Sequence, residues 1–108
     1  SWGENNCIGN GNTSVIGGGR DKHIDGAYCA GIMSGQCNVI SGGYHQTIVG
    51  GVSNTNSSYK SHVIGSNITT DRVCTAFVNN LSIKSIPTVV TGLPAGSVWN
   101  NAGVLNIV

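Results

Sequence analysis

Gly19-Arg20-Asp21-Lys22-His23-Ile24-Asp25-Gly26-Ala27-Tyr28-Cys29-Ala30-Gly31-Ile32-Met33-Ser34 is followed directly by Gly35-Gln36-Cys37-Asn38-Val39-Ile40-Ser41-Gly42-Gly43-Tyr44-His45-Gln46-Thr47-Ile48-Val49-Gly50, and glycine, isoleucine and tyrosine recur at matching places. Working outward, Gly3, Gly19, Gly35 and Gly51 stand sixteen residues apart. Ile8, Ile24 and Ile40 make one column, and Ile16, Ile32 and Ile48 a second, offset by eight. Asn6, Asn38 and Asn54 share a column that Lys22 interrupts. A fixed short period means one small supersecondary unit built repeatedly, so stacking rather than a globular core sets the fold.

Each unit divides into two eights with one Ile in each. Two short strands per coil, each turning a β-branched side chain inward, suit the period-two alternation of a strand. Glycines and Asn/Ser-rich stretches between them suit tight turns at positive φ. A helix is excluded by the frequency of Gly and the lack of any i, i+3, i+4, i+7 stripe. Coils stacked ~4.8 Å apart place equivalent residues over one another. Ile8, Ile16, Ile24, Ile32, Ile40, Ile48 and Val63 are then the inward core ladder, and Gly3, Gly19, Gly35 and Gly51 the turn glycines. Asn38 and Asn54 bond along the stack through their amides. Tyr28 and Tyr44 form a ring ladder that Tyr59 continues. From Tyr44 to Tyr59 and Ile48 to Val63 the spacing shortens to fifteen, and the pattern fades after Asn67.

From Thr69 the chain changes character. Val73 to Asn79 alternates weakly, Leu81, Ile83 and Ile86 alternate cleanly, and Pro87 stops that run. Gly92-Leu93-Pro94-Ala95-Gly96 reads as a turn, and residues 97–108 as a hairpin with its loop at Asn100 to Gly103. The expected division is a repeat β-solenoid over residues 1–68 and a C-terminal cap region over 69–108.

Only 8% of the 108 residues are charged, with 5 Lys+Arg against 4 Asp+Glu, which leaves no basic surface for nucleic acid. No apolar run approaches the ~20 residues of a membrane span. The large apolar residues are few, with one Phe, one Met and two Trp beside scattered Ile and Val. One chain builds a thin core from these, which points to association between subunits. The start at Ser1 without Met reads as a piece of a longer protein. Cys7, Cys29, Cys37 and Cys74 show no paired spacing; their even count permits two disulfides in any of three connectivities, and free thiols buried as small apolar residues are the favoured alternative.

The units Ile16-Gly17-Gly18-Gly19 and Ile48-Val49-Gly50-Gly51, each followed by an Asn/Ser-rich turn, resemble the head repeats of trimeric autotransporter adhesins. They resemble still more the Gly-rich repeat regions of phage tail-fibre and other virion proteins. Val78-Asn79-Asn80-Leu81-Ser82-Ile83 and Gly92-Leu93-Pro94-Ala95-Gly96-Ser97-Val98-Trp99-Asn100 are similar to the C-terminal ends of such phage structural proteins. The resemblance implies an all-β, homotrimeric β-solenoid (β-roll) fibre or tip on a virion surface, with further virion proteins as partners and a host-surface glycan or protein as receptor. A bacterial trimeric adhesin head is the alternative, and a glycan-degrading tailspike segment a more distant one. The chain has neither the heptad stalk of the adhesins nor the serine-centred self-cleaving motif of some tailspike ends.

Chemistry-bearing residues are sparse. Asp21 and Asp25 are the only close carboxylate pair, and a two-carboxylate hydrolase needs such a pair facing a cleft. In register they project from a turn region into solvent. Cys29 and His45 share a column, as any ladder brings two residues together, and no nucleophile–base–orienter set accompanies them. His23 with Asp21 and Asp25 lacks the spacing of a structural metal site. The Asn-X-Ser/Thr sequons at Asn12, Asn56, Asn67 and Asn80 follow from the Asn/Ser-rich composition. No catalytic residue, metal ligand or cofactor is expected, and the chain is read as a non-enzyme. Tyr28, Tyr44 and Tyr59 are the candidate receptor-facing residues, since aromatic rings offer flat apolar faces.

Overall fold

A computed structural model describes residues 3–108; residues 1 and 2, the start of the expected repeat domain, lie outside the described residues. The fold is all-β, a β-solenoid of stacked parallel coils. One sheet holds β1 (Cys7–Gly9), β3 (His23–Tyr28), β5 (Val39–Tyr44) and β7 (Thr55–Asn56). The facing sheet holds β2 (Val15–Ile16), β4 (Gly31–Ile32), β6 (Thr47–Ile48), β8 (His62–Ile64) and β9 (Ala76–Val78). Each chain turn contributes one strand to each sheet, so the second strand of a coil serves as the crossover that parallel pairing requires. The registers Ile8↔Ile24↔Ile40 and Ile16↔Ile32↔Ile48↔Val63 reproduce the sequence columns.

Corners recur with a regularity that the residue types conceal. Asn5, Thr13, Asp21, Cys29, Cys37, His45, Ser53, Lys60, Asn67 and Cys74 all have φ between 53° and 59°. They stand eight apart as far as Ser53 and seven apart thereafter. Left-handed backbone costs an L-residue of the order of 1–2 kcal/mol. The corners tolerate it because their backbone hydrogen bonds run from coil to coil. The N–H of Cys29 donates to Asn12 O, that of His45 to Tyr28 O, that of Lys60 to Tyr44 O and that of Cys74 to Tyr59 O, all at 2.9–3.0 Å.

The expected turn glycines have a different task. Gly3, Gly19, Gly35 and Gly51 lie at φ 96–103°, and a Cβ on any of them would overlap the carbonyl oxygen of the corresponding glycine in the next coil. That oxygen is Gly19 O for Gly3, Gly35 O for Gly19, Gly51 O for Gly35 and Gly65 O for Gly51. Those carbonyls accept ladder bonds from Glu4, Arg20 and Gln36 N–H at 3.0–3.1 Å, so the backbones have no room to part. Glycine is required here for close approach as much as for φ.

The core is a file of single side chains between the sheets: Ile16, Ile24, Ile32, Ile40, Ile48 and Val63, with Ala27 and Ala30. Ile8 departs from the expected ladder. It is in register with Ile24 but 38% exposed, because no further coil covers it among the described residues. At the other end of the same column Ile gives way to Asn56 and Thr70, both buried.

Stacking also continues past the boundary expected at residue 68. Val63 pairs with Phe77 and Ile64 with Val78, and the Asn79 side chain donates to Ser66 O and accepts from Ser66 N. The spacing contracts to fourteen in this last turn, so columns counted at sixteen or fifteen stop at Asn67. The strand expected from the alternation of Leu81, Ile83 and Ile86 does not form; that stretch has no partner to pair with. β10 (Val98–Asn101) and β11 (Val104–Ile107) form an antiparallel hairpin. Its loop is tighter than the expected Asn100–Gly103: pairing closes at Asn101↔Val104, leaving Ala102-Gly103 with both φ positive. Two positive φ values make the two-residue turn that matches strand twist. The described residues form a rod of 49 × 21 × 21 Å.

Candidate functional site

No concave pocket exists among the described residues. Tyr28 and Tyr44 are Cα partners, and Tyr59 lies one coil further on. Each tyrosine immediately precedes a left-handed corner, which turns the chain and leaves the ring on the outside of the bend. Tyr28 and Tyr44 stack at 5.2 Å between centroids with planes 15° apart, and Tyr59 meets Tyr44 edge-on at 5.3 Å. All three are exposed. The predicted ring ladder therefore forms, but Tyr28 and Tyr44 turn faces toward each other and Tyr59 adds an edge contact.

The other sequence candidates are scattered. Asp21 is a corner residue, 3.6 Å from Arg20 Nε and accepting from Asn5 Nδ2 at 3.1 Å. Asp25 stands on β3 and accepts from Asn10 Nδ2 at 3.4 Å. Cys29 and His45 are stacked corners, both exposed. No three of His, Cys, Asp and Glu gather closely enough to hold a metal among the described residues. The cysteines are free, and all four are exposed, contrary to the expected burial. Cys29, Cys37 and Cys74 sit on corners and Cys7 on β1, where no inner position is available to them. Of the sequons, Asn56 is closed off: it is buried, with its Nδ2 donating to Thr47 O at 3.2 Å and Ser61 O at 2.8 Å.

What the sequence reading missed lies inside. The residue after each corner turns inward, which buries Lys22, Asn38, Asn54, Gln46 and Ser61. The Asn column does bond along the stack, though to backbone rather than amide to amide. Asn38 Oδ1 accepts from Asn54 N at 3.1 Å and Asn54 Oδ1 from Ile68 N at 3.0 Å. Their Nδ2 groups donate to Gly51 O and Gly65 O. Lys22 occupies this column with no acceptor to offer, and its buried Nζ has no hydrogen-bond partner. Burial pushes the Lys22 ammonium below its ordinary pKa of 10.5. The signal was present in the sequence as the one break in the Asn column.

No family model, curated protein or solved structure matches the chain.

Proposed function

We propose that the chain is a structural segment of a homotrimeric fibre on a virion surface, a rod and tip whose exposed ridge meets a host receptor. One observation carries this reading. From Asn79 to Val108 not one residue is buried, although the stretch contains Leu81, Ile83, Val89, Val90, Val104, Leu105, Ile107 and Val108 as exposed apolar side chains. An isolated two-stranded hairpin is marginal in water. A segment this apolar acquires a core when copies of itself supply one, and the hairpin then serves as the cap of the assembled rod. The resemblance to virion fibre proteins gives the copy number of three and the setting.

A scaffold reading also suits a surface with few charges and no cleft. The Tyr28–Tyr44–Tyr59 ridge is the proposed receptor-facing strip, presented at regular spacing on a rigid support. Mass measurement of the purified chain by light scattering, down to micromolar concentration, tests the proposal. Three copies are expected at every concentration where the protein is folded, as for obligate oligomers. A folded single copy would overturn it.

A further inference from the structure

The two sheets present unlike faces to the outside. The residues on either side of each inner Ile or Val turn outward, with Gly31 alone covered, by the Val15 side chain. On the sheet of β1, β3, β5 and β7 the columns beside the inner Ile are Cys7, His23, Val39, Thr55 and Gly9, Asp25, Ser41, a largely polar set, with the stacked Tyr28 and Tyr44 at the strand ends. On the sheet of β2, β4, β6, β8 and β9 the residues after Ile32, Ile48, Val63 and Phe77 are Met33, Val49, Ile64 and Val78. All four are exposed, large and apolar, one per coil, in an unbroken line. The adjoining outward column, Val15, Gly31, Thr47, His62 and Ala76, carries no carboxylate, Lys or Arg, and its His62 Nδ1 is 2.6 Å from Thr47 Oγ1.

We infer that the Met33–Val49–Ile64–Val78 stripe is the seam along which a neighbouring copy of this chain packs. The inference rests on the oligomeric reading above and adds where the contact lies. Three features select a copy of this chain as the occupant. The stripe repeats at the strand spacing of ~4.8 Å, so a partner fills every gap along it only if it has the same rise, and another copy has it by construction. The face lacks fixed charge, which rules out recognition of a polyanion or an acidic or basic partner surface. The stripe is also continuous with the coreless segment: Val78 ends it, and Leu81 and Ile83 follow within five residues as further exposed apolar groups. A standard interface takes about 800 Å² from each partner. The seam running from Met33 to Val78 is prolonged by the apolar C-terminal segment, whereas the other sheet's line of large side chains, Tyr28, Tyr44 and Tyr59, is already packed ring on ring and carries hydroxyls.

The test compares Ile64→Lys with Ser41→Lys in the full chain, reading mass against concentration by native mass spectrometry and light scattering. Both sites face outward, so the two variants add the same charge to opposite faces. Ile64→Lys is expected to raise the concentration at which the assembly dissociates by at least tenfold, while Ser41→Lys leaves it unchanged. Ile64→Gln, uncharged and similar in size, is expected to move it in the same direction by less, and it keeps the test sound if the lysine variant aggregates. An assembly that tolerates Ile64→Lys and Ile64→Gln, or that is broken by Ser41→Lys instead, overturns the seam and leaves the oligomeric reading standing. A wild-type chain that is one folded copy overturns both.

Discussion

Residues 3–79 and residues 80–108 belong to one chain but satisfy their side chains in opposite ways. In the solenoid every coil buries an Ile, Val or inner polar residue against the coil before it, and backbone bonds run through the corners as well as the strands. In the C-terminal segment there is backbone pairing in a hairpin, yet no side chain is buried. The lesson is that a repeat carries its own partner in the next repeat, whereas a non-repeating tail of this length needs a partner from outside. Repeat stability is a sum of nearest-neighbour terms along the stack, which is why the solenoid can be thin.

The largest expected effect separates the two regions at their glycines. Gly35→Ala sets a Cβ onto Gly51 O at φ 99°, with backbone on the far side that has no freedom to move. Strain and overlap together should cost about 3 kcal/mol or more. Gly96→Ala has a similar φ of 90° and open space around it, so only the backbone term of about 1 kcal/mol remains. Urea unfolding of the two variants measures the gap. Equal losses would mean that close approach of the coils is not what demands glycine.

Next in size is the core. Ile32→Ala should cost about 2–5 kcal/mol per chain, since Ile32 is fully buried between Ile16 and Ile48. Leu105→Ala removes a side chain that is 65% exposed and that no contact within its own chain buries. Its effect should appear only through association and grow on dilution. A concentration-independent loss at Leu105 equal to that at Ile32 would erase the distinction between the regions.

A smaller effect of opposite sign is expected inside the solenoid. Lys22→Asn restores a side chain that both donates and accepts in the Asn6–Asn38–Asn54 column, and should stabilise by about 1–3 kcal/mol at neutral pH. The pH dependence has a definite sign. The unfolded chain holds the Lys22 proton up to about 10.5, and the folded chain releases it lower because burial disfavours the ammonium. Unfolding therefore takes up a proton between the lowered value and 10.5, and wild-type stability gains this contribution as pH rises through that window. Below it the ammonium is charged in both states and the contribution is flat. Thermal melts of wild type and Lys22→Asn across pH 7–11 should converge as pH rises; a constant gap would place the Lys22 amine in water.

The smallest expected change is at the corners. Thr13 is β-branched at φ 55° and exposed, and Thr13→Asn should gain about 1 kcal/mol or less. No gain would show that the Thr13 backbone holds its left-handed conformation without strain.

Much of the fold was legible because a strict period converts sequence position directly into neighbourhood. The Ile columns, the glycine column and the tyrosine ladder follow from spacing alone, and the registers Ile24↔Ile40 and Tyr28↔Tyr44 are the same statement in space. Where the period drifted to fifteen and then fourteen, counting lost the thread, and β9 was hidden although Phe77 and Val78 continue their columns. The corners were illegible for another reason: Cys, His and Lys give no turn signal, and at Cys29, His45, Lys60 and Cys74 hydrogen bonding to the preceding coil holds them at positive φ.

By itself, the sequence determined which residues stack on which, since a repeat of two β-branched residues per sixteen has one economical way to pair. Which side of each stack faces inward was a tertiary decision. Alternation around the buried Ile sends Lys22 and Asn38 into the interior, leaves the cysteines outside and lines up Met33, Val49, Ile64 and Val78 on one face. Spacing names neighbours along the rod, but only the closure of two sheets around a common core separates inside from outside.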